Sequence, residues 1–396
     1  MANLSAKSVN QMVNITFCDR VNTDNAAEIE KELNDICEEY PCGKIIIDMK
    51  DLKYISSAGL RILLRLQKKR GKIKVINVSS EVYEIFSMTG FDEIMEVEKA
   101  YRTIDVTGCE IIGSGSNGNV YRINGDTIVK VYNNPEALND IKRERKLAKK
   151  AFVLGVPTAI SYDVVRVGEG YGSVFELLES KSLSAIISED PDNVEKYIDM
   201  FVELLKKIHS ITLKDDDIPN MKKRALSWVG FLEGQFPNKT WKKLRNLVEK
   251  ISDDDNLLHG DYHTKNVMVV EGEPMLIDMD TLCTGNPIFE FASIYNAFIG
   301  FNELDPEVSK DFLGLPFELS ERVYNGSLKR FLADASQSEI EDASDKIKLI
   351  GQVRILRRCL RRLSDTEMGK KQIEISKNYI IELTEKIDSL NIKWRI

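Results

Sequence analysis

Two stretches of the chain concentrate residue types that handle phosphate and metal ions. The first is Gly113-Ser-Gly115-Ser-Asn-Gly118-Asn-Val120, between the apolar Ile111-Ile112 and a strand-like run from Val120 to Ile123. Three glycines let a backbone turn approach phosphate oxygens without a Cβ in the way, and exposed amides can then face the anion. A plain Gly-rich hairpin has the same composition, so the loop alone does not decide. Lys130 follows 12 residues after Gly118, inside the apolar strand Thr127-Ile-Val-Lys-Val-Tyr132. A cation there needs a partner or a solvated strand edge. Glu144, 14 residues further on in a charged helix, can hold that lysine, and Glu136 competes for the role. The second stretch is Leu257-Leu-His259-Gly-Asp261-Tyr-His263-Thr-Lys-Asn266-Val-Met-Val-Val270, followed by Met275-Leu-Ile-Asp278-Met-Asp280. Carboxylates and a carboxamide at this density are groups that hold a cation or accept a proton.

The second stretch resembles the HGD…N…ID signature of aminoglycoside phosphotransferases and choline kinases, a branch of the protein-kinase-like superfamily. The glycine loop, Lys130, Glu144, the signature, Gly285-Asn-Pro287 and Glu290-Phe-Ala292 extend the likeness over Cys109 to about Ala292. The resemblance implies a phosphotransferase using ATP and Mg2+. Phosphoryl transfer depends on positioning and charge neutralisation more than on covalent help. Asp278, ending an apolar strand, and Asn266, five residues beyond Asp261, are therefore expected to hold the metal. Asp261 is the expected catalytic residue, accepting the proton of the attacking hydroxyl or orienting it. Gly113, Gly115, Gly118, Lys130 and Glu144 form the expected nucleotide site, with Glu176 and Leu177 of the hinge segment Ser173-Val-Phe175-Glu176-Leu177 cradling adenine through backbone groups.

Histidine is scarce, with three in the chain, and none is expected to do direct chemistry. The resemblance implies that His259 bonds backbone near the catalytic loop and that His263 does likewise or lines the cleft. His209 fits a helix contacting that loop, or an ordinary core edge. Asp280 either completes the metal shell or caps the next turn. No activation segment of protein-kinase length separates Asp278 from Gly285-Asn-Pro287, which favours a small hydroxylated or aminated acceptor over a protein.

Elements must position these groups. Strand patterns from Cys109 to about Tyr132, a charged helix over Pro135 to Phe152 and further strands through Phe175 imply a β-rich small lobe. From Ser182 onward the pattern is mostly helical, a large lobe interrupted by the segment Leu257 to Asp280. Toward Ile396, the helical stripe Arg354, Arg357, Arg358, Arg361 and Arg362 reads as a solvated face pairing with the abundant acids, or as an anion-binding face. Val353, Leu356 and Leu360 would pack beneath it.

The first hundred residues read as a separate α/β unit. Strands are expected at Met12 to Phe17, Lys44 to Met49 and Lys72 to Val78, with helices at Asp24 to Cys37, Ser57 to Lys69 and Glu81 to Met88. The segment Asp51-Leu-Lys-Tyr-Ile55-Ser56-Ser57-Ala-Gly59-Leu60, with Phe86-Ser-Met-Thr-Gly90-Phe91 after it, resembles the STAS domain of anti-sigma-factor antagonists over residues 8 to 100. In that family a partner kinase phosphorylates a serine at the start of this helix, and Ser57 occupies the position. Ser56 stands where many members carry an acid, and both serines can simply cap the helix.

The chain has 396 residues, 43% apolar and 30% charged, with net charge -8, which suits several soluble globular domains and gives no reason to expect nucleic acid. No apolar run is long enough for a signal peptide or a membrane span, so a cytoplasmic protein is expected. Six scattered cysteines read as buried thiols rather than disulfides or a metal site. The expected organisation is a STAS-like domain over 1–104, a kinase-like nucleotide lobe over 105–180 and a helical lobe with the catalytic loop over 181–396. The expected function is transfer of the γ-phosphate of ATP to a hydroxyl of a small molecule, with the STAS part regulating or binding a protein partner. The competing expectation is a nucleotide- or metabolite-sensing regulator acting through the STAS part and Ser57.

Overall fold

The computed structural model describes residues 4–9, 12–40, 44–71, 73–115, 117–214, 218–305 and 307–394. It divides into two compact units, Met1–Asp105 with Val164–Glu169, and Val106–Asp163 with Gly170–Ile396.

The first unit carries a five-stranded sheet of order β1 (Leu4–Val9), β2 (Met12–Val21), β3 (Lys44–Ile55), β4 (Lys74–Val78), β5 (Glu96–Lys99). β1 runs antiparallel to β2 and the other neighbours pair in parallel. Parallel neighbours need crossovers, supplied by α1 (Ala26–Glu39), α2 (Ser57–Arg70), α3 (Ser80–Met88) and the short α4 (Phe91–Ile94). α1 buries Ile29, Leu33 and Cys37, and α2 buries Leu60, Leu63 and Leu66, at helical spacing. Strand ends differ from the sequence expectation. β3 continues past Met49 to Ile55 because Lys50, Asp51 and Lys53 face solvent while Leu52 and Ile55 stay buried. The expected third strand begins at Lys74; Lys72 lies outside the described residues.

The second unit begins with sheet strands in the order β6 (Glu110–Gly115), β7 (Gly118–Arg122), β8 (Thr127–Tyr132), β10 (Gly170–Glu176), while β9 (Asp163–Val167) falls mostly in the segment grouped with the first unit. The helix after β8, α5 (Leu138–Val153), starts three residues later than the sequence suggests. Asn134 accepts the N–H of Glu136 through its side chain, and this turn delays the helix. The rest is mainly helical: α6 (Leu183–Glu189), α7 (Val194–His209), α8 (Met221–Phe231), α9 (Asn238–Glu249), α10 (Ile288–Tyr295), α11 (Glu307–Leu313), α12 (Phe317–Phe331), α13 (Gln337–Arg362) and α14 (Glu367–Lys386). Short strands β11 (Ser180–Ser182), β12 (Leu257–Leu258), β13 (Val267–Val270), β14 (Glu273–Leu276) and β15 (Cys283–Thr284) frame the segment Leu257 to Asp280. Phe201, Tyr262, Phe291, Phe298 and Phe331 are wholly buried around it. An α/β unit is thus followed by the β-rich and helical parts of a protein-kinase-like fold. Cys37, Cys283 and Cys359 are buried free thiols and Cys109 is a partly exposed one. Cys42 lies outside the described residues, as does the side chain of Cys18.

Candidate active site

Lys130 lies in β8, between β7 and β10, with 16% of its side chain exposed. Its ammonium reaches Glu144 Oε1 of α5 at 3.2 Å and also donates to Asp278 Oδ1. Burial works against the charged form, yet the charges of Asp278 and Glu144 raise the Lys130 pKa overall. Tyr132 donates to Glu144 Oε2 at 2.9 Å and meets Ser173 Oγ at 3.1 Å, which fixes the carboxylate. Glu136, the competing partner, is exposed.

The glycines sit where β6 and β7 face each other, Gly115 opposite Gly118 and Gly113 opposite Val120; Ser116 lies outside the described residues. They do not play one role. A Cβ on Gly118 would stand 2.0 Å from Val131 O, so glycine is demanded there by strand packing. Gly113 and Gly115 would accommodate a methyl at ordinary contact distance. Glu176, at the end of β10, is exposed, and Leu177 already donates its N–H to Asp126 O at 2.8 Å.

The loop between β12 and β13 carries Asp261 and Asn266. It is tied at almost every residue. Gly260 has φ +83°, and a Cβ there would meet Thr281 O at 2.5 Å. Glu290 of α10, wholly buried, accepts the N–H groups of His259 at 2.5 Å and Gly260 at 2.9 Å. Asp261 N donates to His259 Nδ1 at 3.3 Å, so the ring's proton sits on Nε2 and is given to Ile277 O at 3.0 Å. His259 therefore bonds backbone. Asn266 donates its amide to Asp261 O at 3.0 Å, which turns its Oδ1 away from that bond.

Asp261 is 46% exposed at its side chain, with His263 Nε2 at 3.7 Å and Arg354 Nη2 at 3.8 Å. Burial pushes its pKa up, but the hydrogen bond and charge of His263, with Arg354 and His259, carry it below the usual carboxylate range. Asp280 shows the opposite balance. Burial first, then the charges of Asp278 and Glu144, push it up to about 7. Asp278 adopts the left-handed conformation, φ 62° and ψ 59°, uncommon for a non-glycine residue and a feature of functional turns.

The roles of Glu290 and Trp394 escaped sequence reasoning, whereas His209 was expected on a helix contacting the loop or at a core edge. Glu290 was visible only as part of a motif, not as the brace of the loop backbone. His209 is buried with Nε2 3.7 Å from Glu290 and its ring 5.4 Å from that of Phe331, beneath the same brace. Below α10, Trp394 stacks on Phe291 at 5.4 Å and donates to Asn286 Oδ1 at 3.0 Å. The arginine stripe needs correction: among the described residues Arg357, Arg358, Arg361 and Arg362 make no ion pair, and Arg354 turns inward to Gly260 O at 3.2 Å.

A magnesium ion bound through one or two protein oxygens, its remaining sites filled by phosphate and water, suits this donor set: one Asp278 carboxylate and one Asn266 carboxamide oxygen. Among the described residues no group of three or more His, Cys, Asp or Glu side chains converges to form a self-sufficient cage.

Comparison with known proteins identifies the family of each part of the chain. Residues 108–323 match the model of the phosphotransferase enzyme family, and residues 3–106 match the STAS domain. BtrV of Bordetella bronchiseptica (strain ATCC BAA-588 / NCTC 13252 / RB50), a proposed anti-sigma factor antagonist, is 33% identical over 81 residues, 19% of this chain and 69% of that protein. Similar solved structures include the gentamicin complex of APH(2")-IIa, at 14% identity and TM-score 0.47, covering 78% of this chain and 99% of that one. The ADP-bound aminoglycoside phosphotransferase APH(2'')-Ib is 15% identical with TM-score 0.48, covering 77% and 99%. The chain belongs to the phosphotransferase enzyme family and carries a STAS domain ahead of that region.

Proposed function

We propose that the second unit transfers the γ-phosphoryl group of ATP to a hydroxyl of a small molecule. The observation that carries this reading is Lys130 held between Glu144 and Asp278, with Asp261 and Asn266 on one braced loop. Gly113, Gly115 and Gly118 line the strand turn that would approach the phosphates, and Lys130 would neutralise their charge. Asp278 and Asn266 would hold Mg2+, which when bound neutralises charge on the phosphate oxygens. Asp261, kept ionised by His263 and Arg354, would take the acceptor's proton. Glu176 and Leu177 would border the base.

ATP consumption with magnesium, measured across aminoglycosides, amino alcohols, sugars and the protein alone, tests the proposal. Acceptor-dependent turnover lost in Asp261→Ala supports it. Tight ATP binding without turnover on any compound would replace it with a regulatory reading. One observation favours a regulatory part for the first unit: Ser56 caps α2, accepting Gly59 N at 3.5 Å, while Ser57 at the first helical position is exposed. Its hydroxyl is open to a modifying partner, and phosphate at a helix N-terminus meets a favourable dipole. Intact mass after incubation with Mg-ATP, set against Ser57→Ala, reads whether the chain modifies itself.

A further inference from the structure

In a chain with 63 acidic and 55 basic residues, arginines ordinarily find carboxylates. Along one face of α13 they do not. Arg354, Arg357, Arg358, Arg361 and Arg362 recur at three- and four-residue spacing, so they share a stripe. Among the described residues Asp261 is the only carboxylate paired with any of them, through Arg354, and Arg224 on α8 also makes no ion pair. Three of the guanidinium groups lie instead over aromatic rings: Arg354 over Trp228 at 5.9 Å, Arg357 over Phe231 at 5.9 Å and Arg358 over Phe301 at 5.1 Å. A ring covers the flat side of a guanidinium and leaves its N–H fork free at the edge. The crowding has a cost. Burial first, then repulsion from Arg361, Arg362 and Arg224, lowers the Arg357 pKa.

This stripe starts at the reaction centre. Arg354 touches both Gly260 O and the Asp261 carboxylate, and from it to Arg362 the helix advances about 12 Å at ~1.5 Å per residue. A cationic acceptor approaching Asp261 would meet like charge. We propose, building on the phosphotransferase reading above, that the acceptor is an anion, a hydroxyl compound bearing a phosphate monoester or carboxylate group. Arg357 and Arg361 grip that group through charge-assisted hydrogen bonds while the hydroxyl meets Asp261. The acceptor oxygen then bonds to the γ-phosphorus of ATP, the bond from that phosphorus to the β,γ-bridging oxygen breaks, the hydroxyl proton passes to Asp261, and ADP leaves.

The test uses the full chain with Mg-ATP and five acceptor classes: hexose phosphates, hydroxy acids, neutral hexoses, amino alcohols and aminoglycosides. Turnover is expected with a hexose phosphate or a hydroxy acid, the two arms distinguishing phosphate from carboxylate. Arg357→Gln and Arg361→Gln should each raise KM for that acceptor roughly 10- to 100-fold while moving kcat and the KM for ATP far less. Thermal melts establish that the variants are folded. Anion binding is read independently as a change in Trp228 fluorescence, absent in Trp228→Phe. Turnover of an aminoglycoside, amino alcohol or neutral hexose that is indifferent to both arginine variants overturns the anionic acceptor and leaves the phosphotransferase reading standing. If no compound is turned over and neither anionic class perturbs Trp228, the anionic acceptor fails as well; Asp261-dependent loss of all ATP consumption is the separate criterion for the phosphotransferase reading.

Discussion

Glu290 accepts two backbone N–H groups of the loop that carries Asp261 from a wholly buried position. Glu290→Ala leaves both donors without a partner, at about 1–3 kcal/mol for each. Expected is a loss of about 2–6 kcal/mol in denaturant unfolding, with kcat falling more than the KM for ATP changes. A variant with normal stability and kcat would show that the loop does not depend on this brace. Cys283 offers a second prediction at this scale. Burial first, then the charge of Glu290, push its thiol far above the ordinary value of 9.0. A folded-state pKa above the unfolded one means the contribution to stability is complete below pH 9 and declines as pH rises further. Iodoacetamide labelling mapped by mass spectrometry should therefore find the half-buried Cys109 modified in the native protein and Cys283 only after unfolding. Asp261, Asn266, Asp278, Lys130 and Glu144 could be singled out as candidates from the sequence through the family resemblance and the motifs that carry it. The roles of Arg354 and Glu290 at the loop were not foreseen, because the first reaches it from 93 positions beyond Asp261 and the second acts through backbone amides, which leave no sequence pattern.

Among elements, the β6–β7 hairpin separates packing from ligand contact. Gly118→Ala drives a Cβ toward Val131 O and should lower the melting temperature of the second unit, whereas Gly115→Ala meets nothing closer than 4.0 Å. If Gly115→Ala weakens ATP binding with unchanged melting, the loss reports on nucleotide approach; equal destabilisation by both variants would refute this division. In α2 the two serines also divide. Ser56→Ala removes the cap and should cost about 1 kcal/mol, while Ser57→Ala should be near neutral in urea unfolding of the first unit. Element types were largely legible from apolar periodicity, as in Ile45, Ile47 and Met49 of β3 or Leu60, Leu63 and Leu66 of α2. Ends were less so. The Asn134 turn ahead of α5 and the outward charges of β3 are local events that periodicity does not register.

For the whole molecule, each unit owns a core: Ile15, Phe17, Ile47, Leu63 and Phe86 in the first, Phe201, Tyr262, Phe291 and Phe331 in the second. A fragment of residues 1–105 should accordingly unfold cooperatively by itself, with dispersed amide resonances in NMR; a collapsed, non-cooperative fragment would contradict this. In the sequence a boundary near residue 105 shows only as a restart of pattern, since no Pro- or Ser-rich linker marks it, and nothing there signals that Val164–Glu169 groups with the first unit. No helix among the described residues is long and apolar enough to cross a membrane. The stack of Trp394 on Phe291 has a consequence in time. A chain emerges from the ribosome in order, so α10 is synthesised 103 positions before the ring that covers it. Until then Phe291 has Phe331 against it but lacks the indole that stacks on its face in the finished fold.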